Sequence, residues 1–224
     1  MARHKNVAVD YAYRMLAPRW AADAAEIHAE GQPHTVLTRL GHRFLTEFYR
    51  HQCESDYGAC IGAFDGQKLI GIITMGLPNT RLFAEFKRKR LWRVAPAVVL
   101  QMIRHPNLLG YLGQSWRYTD IAESPDNEAD VLFLGVRKAY QRAGVAPELI
   151  KYVLGWMGAN GFPYCSMMVE KRNRALRWVI SDLVNLEIVK EFDAYGRKML
   201  LYRLPVMDNQ AGALIPAEIE DWER

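Results

Sequence analysis

The chain has 224 residues, half of them apolar, with 29 Lys and Arg against 25 Asp and Glu for a net charge of +4. That is enough apolar material for one domain with a substantial core, and too little net charge to imply a nucleic-acid partner. Three cysteines at spacings that match no metal site and a polar start, MARHKN, argue against a metal centre and a secretory leader, so a cytoplasmic setting is expected. The longest apolar candidate for a membrane span, residues 94–103, is too short and contains Pro96.

Residues 11–17 read as a first strand, and Pro18 suits the first turn of a helix over 18–30 that Gly31, Gln32 and Pro33 break. A second helix is expected from about 35 to 53, where Val36, Leu37, Leu40, Phe44, Leu45, Phe48 and Tyr49 form an apolar stripe. Strands follow over 58–64 and 68–75 on either side of Asp65-Gly66, a hairpin turn signal.

From 76 to 127 runs a segment far longer than compact domains normally use to join two strands. Two or three helices are expected there, one holding Val98, Val99, Met102 and Ile103 and another over 107–116, separated by Pro106. The segment is read as a wall or lid over an acceptor site, or equally as a homodimer surface. Its start is crowded with Arg81, Lys87, Arg88, Lys89, Arg90 and Arg93, followed by Trp92 and the apolar run 94–103. A solvated face leading into a packed one accounts for this pattern. The functional alternatives are weak contact with an anionic membrane surface, attraction of an anionic acceptor, or attraction of a phosphate-bearing cofactor.

The stretch 131–146, VLFLGVRKAYQRAGVA, carries the most chemistry. An apolar run ends at Val136, and Gly144 and Ala146 open a helix in which Leu149, Ile150, Val153 and Leu154 recur at helical spacing. The first N–H groups of such a helix lack internal partners and point, with the positive end of the dipole, at whatever lies above the strand. Phosphate suits that position, and Arg142 adds a charged donor. Spacing alone also fits a plain turn in which the glycine is only a bend. Further on, 164–169 reads as a strand, Asn173 opens a helix with Ala175, Leu176, Val179, Ile180 and Leu183 on one face, and 187–192 and 198–204 pair as strands around a turn at 194–196.

The run Gln141, Arg142, Ala143, Gly144, Val145, Ala146 resembles the Gln/Arg-x-x-Gly-x-Gly/Ala signature of the GCN5-related N-acetyltransferases, the GNAT superfamily. The order of elements over residues 8–205 is similar to that family's, apart from the long segment. The resemblance implies an α/β (α+β) fold: a mixed, mostly antiparallel central sheet flanked by helices, with a helical insertion between the third and fourth strands. It also implies one domain, with a core over 8–75 and 128–205, the insertion over 76–127 and a tail over 206–224.

The same resemblance implies acetyl-CoA as cosubstrate and direct acetyl transfer, through a tetrahedral intermediate, to the amine of a small molecule such as an amino sugar or other metabolite. It puts the cofactor's phosphates on the Gln141 to Ala146 turn and makes the main-chain N–H groups of Leu134 and Val136 the oxyanion donors. Asn173 is either a hydrogen-bond partner of the pantetheine arm or a simple helix cap. Asp130 matches the position at which histone-acetylating members carry a glutamate base, with Glu128 one pleat away and Glu123 in the preceding loop as further candidates. A charge at a strand end facing solvent is the plain reading of Asp130.

The sequence departs from the family pattern after Asn173, where the helix lacks the tyrosine that many relatives use as acid toward the leaving sulfur. Trp178, Ile180 and Ser181 stand there instead. Either the thiolate leaves unassisted, or Tyr152 or another distant tyrosine serves, or the chain binds acetyl-CoA without efficient turnover as a regulatory or interaction module.

Overall fold

The computed structural model describes residues 11–108, 110, 128–183, 187–194 and 196–206. Its strands are β1 Ala12–Met15, β2 Gly58–Asp65, β3 Lys68–Gly76, β4 Ala129–Val136, β5 Tyr164–Glu170, β6 Glu187–Ala194 and β7 Arg197–Pro205. They form one sheet in the order β1-β2-β3-β4-β5-β7-β6. Only β4 and β5 run parallel, so the sheet is mixed and mostly antiparallel, as the family resemblance implies. Helices α1 Ala21–Gly31, α2 Val36–Arg39 and α3 His42–Glu54 precede the β2–β3 hairpin. Between β3 and β4 lie α4 Asn79–Lys89 and α5 Leu91–Arg104, while α6 Val145–Ala159 and α7 Arg174–Leu183 flank β5.

The two-residue period of the strands sorts their side chains onto two faces. Ala59, Ile61 and Ala63 of β2, Cys165, Met167 and Val169 of β5, and Leu200, Tyr202 and Leu204 of β7 face one way. There they pack against Val145, Leu149, Ile150, Val153, Leu154 and Met157 of α6. On the other face Cys60, Phe64, Leu69, Ile72 and Phe133 meet Ala21, Ala24, Ala25 and Ile27 of α1 and Leu45 and Tyr49 of α3. A third cluster, Leu40, Phe44, Phe48, Phe86 and Val94, ties α3 to α4 and α5.

Two expectations are corrected. The single helix over 35–53 is two, α2 and α3, parted at Gly41, whose φ of +99° belongs to no helix. Leu40 and Phe44 nevertheless stay on one face, so the apolar period continues through a break that it does not report. The first strand is shorter than 11–17, and Pro18 begins a 3-10 turn, Pro18–Trp20, that leads into α1. Pro96 lies inside α5, which starts at Leu91 and loses one ladder bond at the proline. The helix expected over 107–116 falls largely outside the described residues.

Among the buried polar groups, His28 of α1 stacks on Phe133 with ring centroids 4.3 Å apart, and its Nδ1 lies 2.6 Å from the Tyr49 hydroxyl. Burial lowers its pKa from 6.5 to about 4, and burial also keeps Tyr49 protonated, so a neutral ring and a neutral hydroxyl share this hydrogen bond. As pH falls the unfolded chain binds this proton first. The contribution is therefore full above pH 6.5 and lost between 6.5 and about 4, an effect of about 3 kcal/mol. Urea titrations across that window should show falling stability, and His28→Gln should flatten the slope while costing stability at neutral pH.

Candidate active site

The centre of the sheet is interrupted twice, and both interruptions come from β4. The register with β3 pairs Phe133 with Thr74 and Val131 with Met75, which leaves Leu132 as an extra residue, a bulge. The bulge changes the phase of the strand. Ala129 and Val131 face the α6 side before it, Leu134 and Val136 face that side after it, and Phe133 turns to the α1 and α3 side. In the same region β4 parts from β5: the two pair over Ala129 to Val131 against Cys165 to Met167 and share no further pairs. A notch opens between them toward the C-terminal end of β4.

The direction of the β4 amides follows from one bond. Arg137 N–H donates to Ile70 O at 2.8 Å, toward β3, so alternation turns the peptide groups of Val136 and Leu134 the other way, into the notch. Gln141 Nε2 donates to Val136 O at 3.3 Å, as it can only if that carbonyl points away from β3. The two sequence-predicted donors thus face an opening where a strand partner would otherwise take them.

At the wide end of the notch lies the predicted turn. Gln141, Arg142, Ala143 and Gly144 are all exposed. Gly144 caps α6 at φ +82°, and Arg142 holds φ +66°, a conformation that costs a non-glycine residue about 1–2 kcal/mol. Nothing lies within 4 Å of where a Gly144 side chain would begin. The first amide with a helical partner is Glu148 N, 3.4 Å from Gly144 O, so the Val145 and Ala146 amides precede the ladder. An exposed left-handed turn beside free helix-start amides is a concavity of the right sign and shape for a phosphate.

At the closed end are the carboxylates. Asp130 is 6% exposed, so the reading of a solvated strand-end charge is corrected. The first N–H of α4, from Asn79, donates to Asp130 Oδ2 at 3.4 Å, placing the positive end of that helix beside the carboxylate. Glu128 is buried as well: the Arg203 guanidinium donates to Oε1, and Ser166 Oγ donates to Oε2 at 3.3 Å. Arg203 also sits 3.8 Å over the Tyr164 ring. Glu123 lies outside the described residues. Sequence reasoning missed Ser166 and Arg203, and also Thr74, whose buried hydroxyl has no hydrogen-bond partner among the described residues and stands opposite Phe133 in register. Cys165 is pushed up to about 12, by burial first and then by the nearby charge of Asp130, so its thiol stays protonated and is no nucleophile.

Asn173 Oδ1 accepts from Leu176 N–H at 3.1 Å, the cap of α7, while its amide nitrogen remains for another acceptor. Asn173→Ala should therefore cost about 1 kcal/mol, a fall in melting temperature of roughly 2–4 °C, whereas Asn173→Asp should keep the cap and the stability. Differential scanning calorimetry on the two variants checks this.

No tyrosine among the positions considered for the acid stands at the notch in the described residues. Ile180 is buried in the core and cannot face the notch. Tyr152 stacks on Tyr13 of β1 at 4.8 Å, and β1 is three strands from β4, about 14 Å away. The side chains of Trp178 and Ser181 lie outside the described residues. A cleft of about 360 Å³ lined by Glu170, Lys171, Arg172, Asp193 and Lys198 is far from the carboxylates, and its charges are paired, as Lys171 with Glu191 and Lys198 with Asp193.

The fold has solved counterparts. The ribosomal-protein-S18-alanine N-acetyltransferase from Escherichia coli superposes with a TM-score of 0.58 at 10% identity, covering 88% of this chain and 94% of that one. An Arabidopsis thaliana NAA60 in complex with acetyl-CoA gives 0.54 at 14% identity, covering 88% and 98%. A spermidine N-acetyltransferase chimera from Vibrio cholerae and hSSAT gives 0.55 at 12% identity, covering 88% and 95%. At such identities the likeness is one of fold. No curated protein matches by sequence. The model of the acetyltransferase (GNAT) family matches residues 22–178, more than half of the sequence, and the chain belongs to that family.

Proposed function

We propose that the protein is an acetyl-CoA-dependent N-acetyltransferase that passes the acetyl group directly to the amine of a small molecule. The observation that carries this reading is the notch: two strand amides turned inward at Leu134 and Val136, with a phosphate-shaped turn at one end and a buried carboxylate at the other. The amides of Val145 and Ala146, with Arg142, would hold the pyrophosphate, and the notch would receive the pantetheine arm, with the free amide nitrogen of Asn173 as a donor beside it. The inward amides are fixed in advance for the negative charge that grows on the carbonyl oxygen in the tetrahedral intermediate.

An amine attacks only when neutral, so a base has to take its proton, and Asp130 is that base in this account. Four residues separate Asp130 from Leu134, roughly 13 Å of extended strand before the bulge shortens it, so the proton travels through water and does not pass directly. The unpartnered Thr74 hydroxyl is suited to hold such a water. Glu128 is the weaker candidate because Arg203 and Ser166 already occupy it. A protonated Cys165 favours direct transfer over an acetyl-cysteine intermediate. A carboxylate so deeply buried is reached by a slender amine more readily than by a folded surface, which favours a small acceptor. Three free cysteines agree with a cytoplasmic setting.

A second reading, a weakly active relative that binds acetyl-CoA and serves as an interaction module, is favoured by the lack of a tyrosine in residues 173–183 and by the stacking of Tyr152 on Tyr13 of β1. A thiol leaving group, with a pKa of about 8.5 for the cysteine side chain, departs without an acid at tolerable cost, so the first reading stands ahead. Thiol release from acetyl-CoA measured over a panel of amino sugars, amino acids and polyamines tests it. Turnover with at least one amine supports the enzyme, and binding without turnover on the whole panel supports the module.

A further inference from the structure

Helix α5 has two apolar faces, and the fold covers one of them. Val94 is fully buried, and Val98 packs beside it on the cluster of Phe44, Phe48 and Phe86. At about 100° per residue, Trp92, Pro96, Val99, Leu100 and Ile103 fall together in an arc of about 100° on the far side. All five are exposed, Trp92 at 69% and Ile103 at 73%. A contiguous apolar stripe of this kind marks an interaction surface, since single exposed residues scatter and do not align.

Charge identifies what the stripe meets. Residues 79–105 hold seven cations, among them Lys87, Arg88, Lys89, Arg93 and Arg104, against the single acid Glu85, a local net of +6 in a chain whose total is +4. Some of these are tied down: Lys89 pairs with Glu85, Arg90 with Glu54, and Arg93 approaches Glu47 at 3.8 Å. Arg88 and Arg104 are exposed at opposite ends of the stripe, and Arg93 lies 5.3 Å over the Trp92 ring. A symmetric contact with a second copy would set this cationic patch against itself, so a homodimer is disfavoured on the same evidence. No helix among the described residues is long and apolar enough to cross a membrane, so the geometry is that of a helix lying on a surface.

We propose that the outer face of α5 docks the protein on an anionic lipid surface, with Trp92, Val99, Leu100 and Ile103 entering the headgroup boundary and the flanking cations over the phosphates. The acetyltransferase site is not involved, so acetyl-CoA binding is independent of this contact.

The test is sedimentation with phosphatidylcholine vesicles, with and without phosphatidylglycerol, at low and high salt. The parent is expected to bind the anionic vesicles at low salt, to release by tenfold or more as salt screens the attraction, and to bind neutral vesicles weakly. Lys87→Gln with Arg88→Gln and Arg104→Gln should weaken binding roughly a hundredfold, about fivefold per cation. Trp92→Ser with Ile103→Ser should weaken it at least tenfold and remove a blue shift of tryptophan emission. All these side chains are exposed, so melting temperatures should match the parent's and show that folding is intact. Absence of vesicle binding at low salt overturns the proposal. So does equal binding by the Trp92 and Ile103 variant, which would mean simple polyelectrolyte attraction, and so does a dimer in light scattering that this variant dissolves.

Discussion

Gly144→Glu is expected to lower the affinity for CoA on the order of a hundredfold, the loss of about two charge-assisted hydrogen bonds to the pyrophosphate. The substituted side chain starts in open space, with nothing within 4 Å, so it does not disturb packing. It does put a carboxylate above the amides of Val145 and Ala146, where the proposed phosphates would bind. Strain at φ +82° costs about 1 kcal/mol, and Gly144→Asn, which tolerates that conformation, separates the strain from the charge. Isothermal titration should find Asn close to the parent and Glu far weaker. Equal affinity for Glu and parent would remove the turn from the binding site.

Asp130→Asn is expected to lower kcat/KM roughly a hundredfold or more at neutral pH, with CoA affinity nearly unchanged. The amide keeps the acceptor that the Asn79 N–H uses but cannot take a proton from the amine. Glu128→Gln should behave differently, because its carboxylate closes a buried pair with Arg203 and accepts from Ser166. Breaking that pair leaves a cation without its partner, so the loss appears mainly as stability. If Glu128→Gln instead removes turnover while the melting temperature holds, Glu128 is the base and Asp130 its support.

The elements were legible where one face of each had to be buried. The alternation of β7 and the helical stripe from Leu149 to Leu154 mark their own positions, because a shift of one residue would expose the core, whereas β2 and β3, buried on both faces, are marked by the Asp65-Gly66 turn between two apolar runs. Gly41 was not legible in this way, since Leu40 and Phe44 keep a helical spacing across the break that its positive φ makes. The turn from Gln141 to Ala146 was legible as a turn because its conformation is local and carried by the backbone at Gly144.

The carboxylate end was legible only as a set of candidates. What separates Asp130 from Glu128 is contact across 75 residues with Arg203 and across 38 with Ser166, set by the β4-β5-β7 order and invisible to any local pattern. The bulge at Leu132 belongs to the same class. It arises from the pairing of β4 with β3, and without it Leu134 and Val136 would not face the α6 side.

A crystal structure with bound CoA is the decisive measurement. The pyrophosphate is expected on the amides of Val145 and Ala146, the pantetheine arm in the notch between β4 and β5, and the thiol near the amides of Leu134 and Val136, with Asp130 beyond it. CoA bound elsewhere, for instance in the charged cleft between Glu170 and Lys198, with the β4 amides untouched, would contradict it.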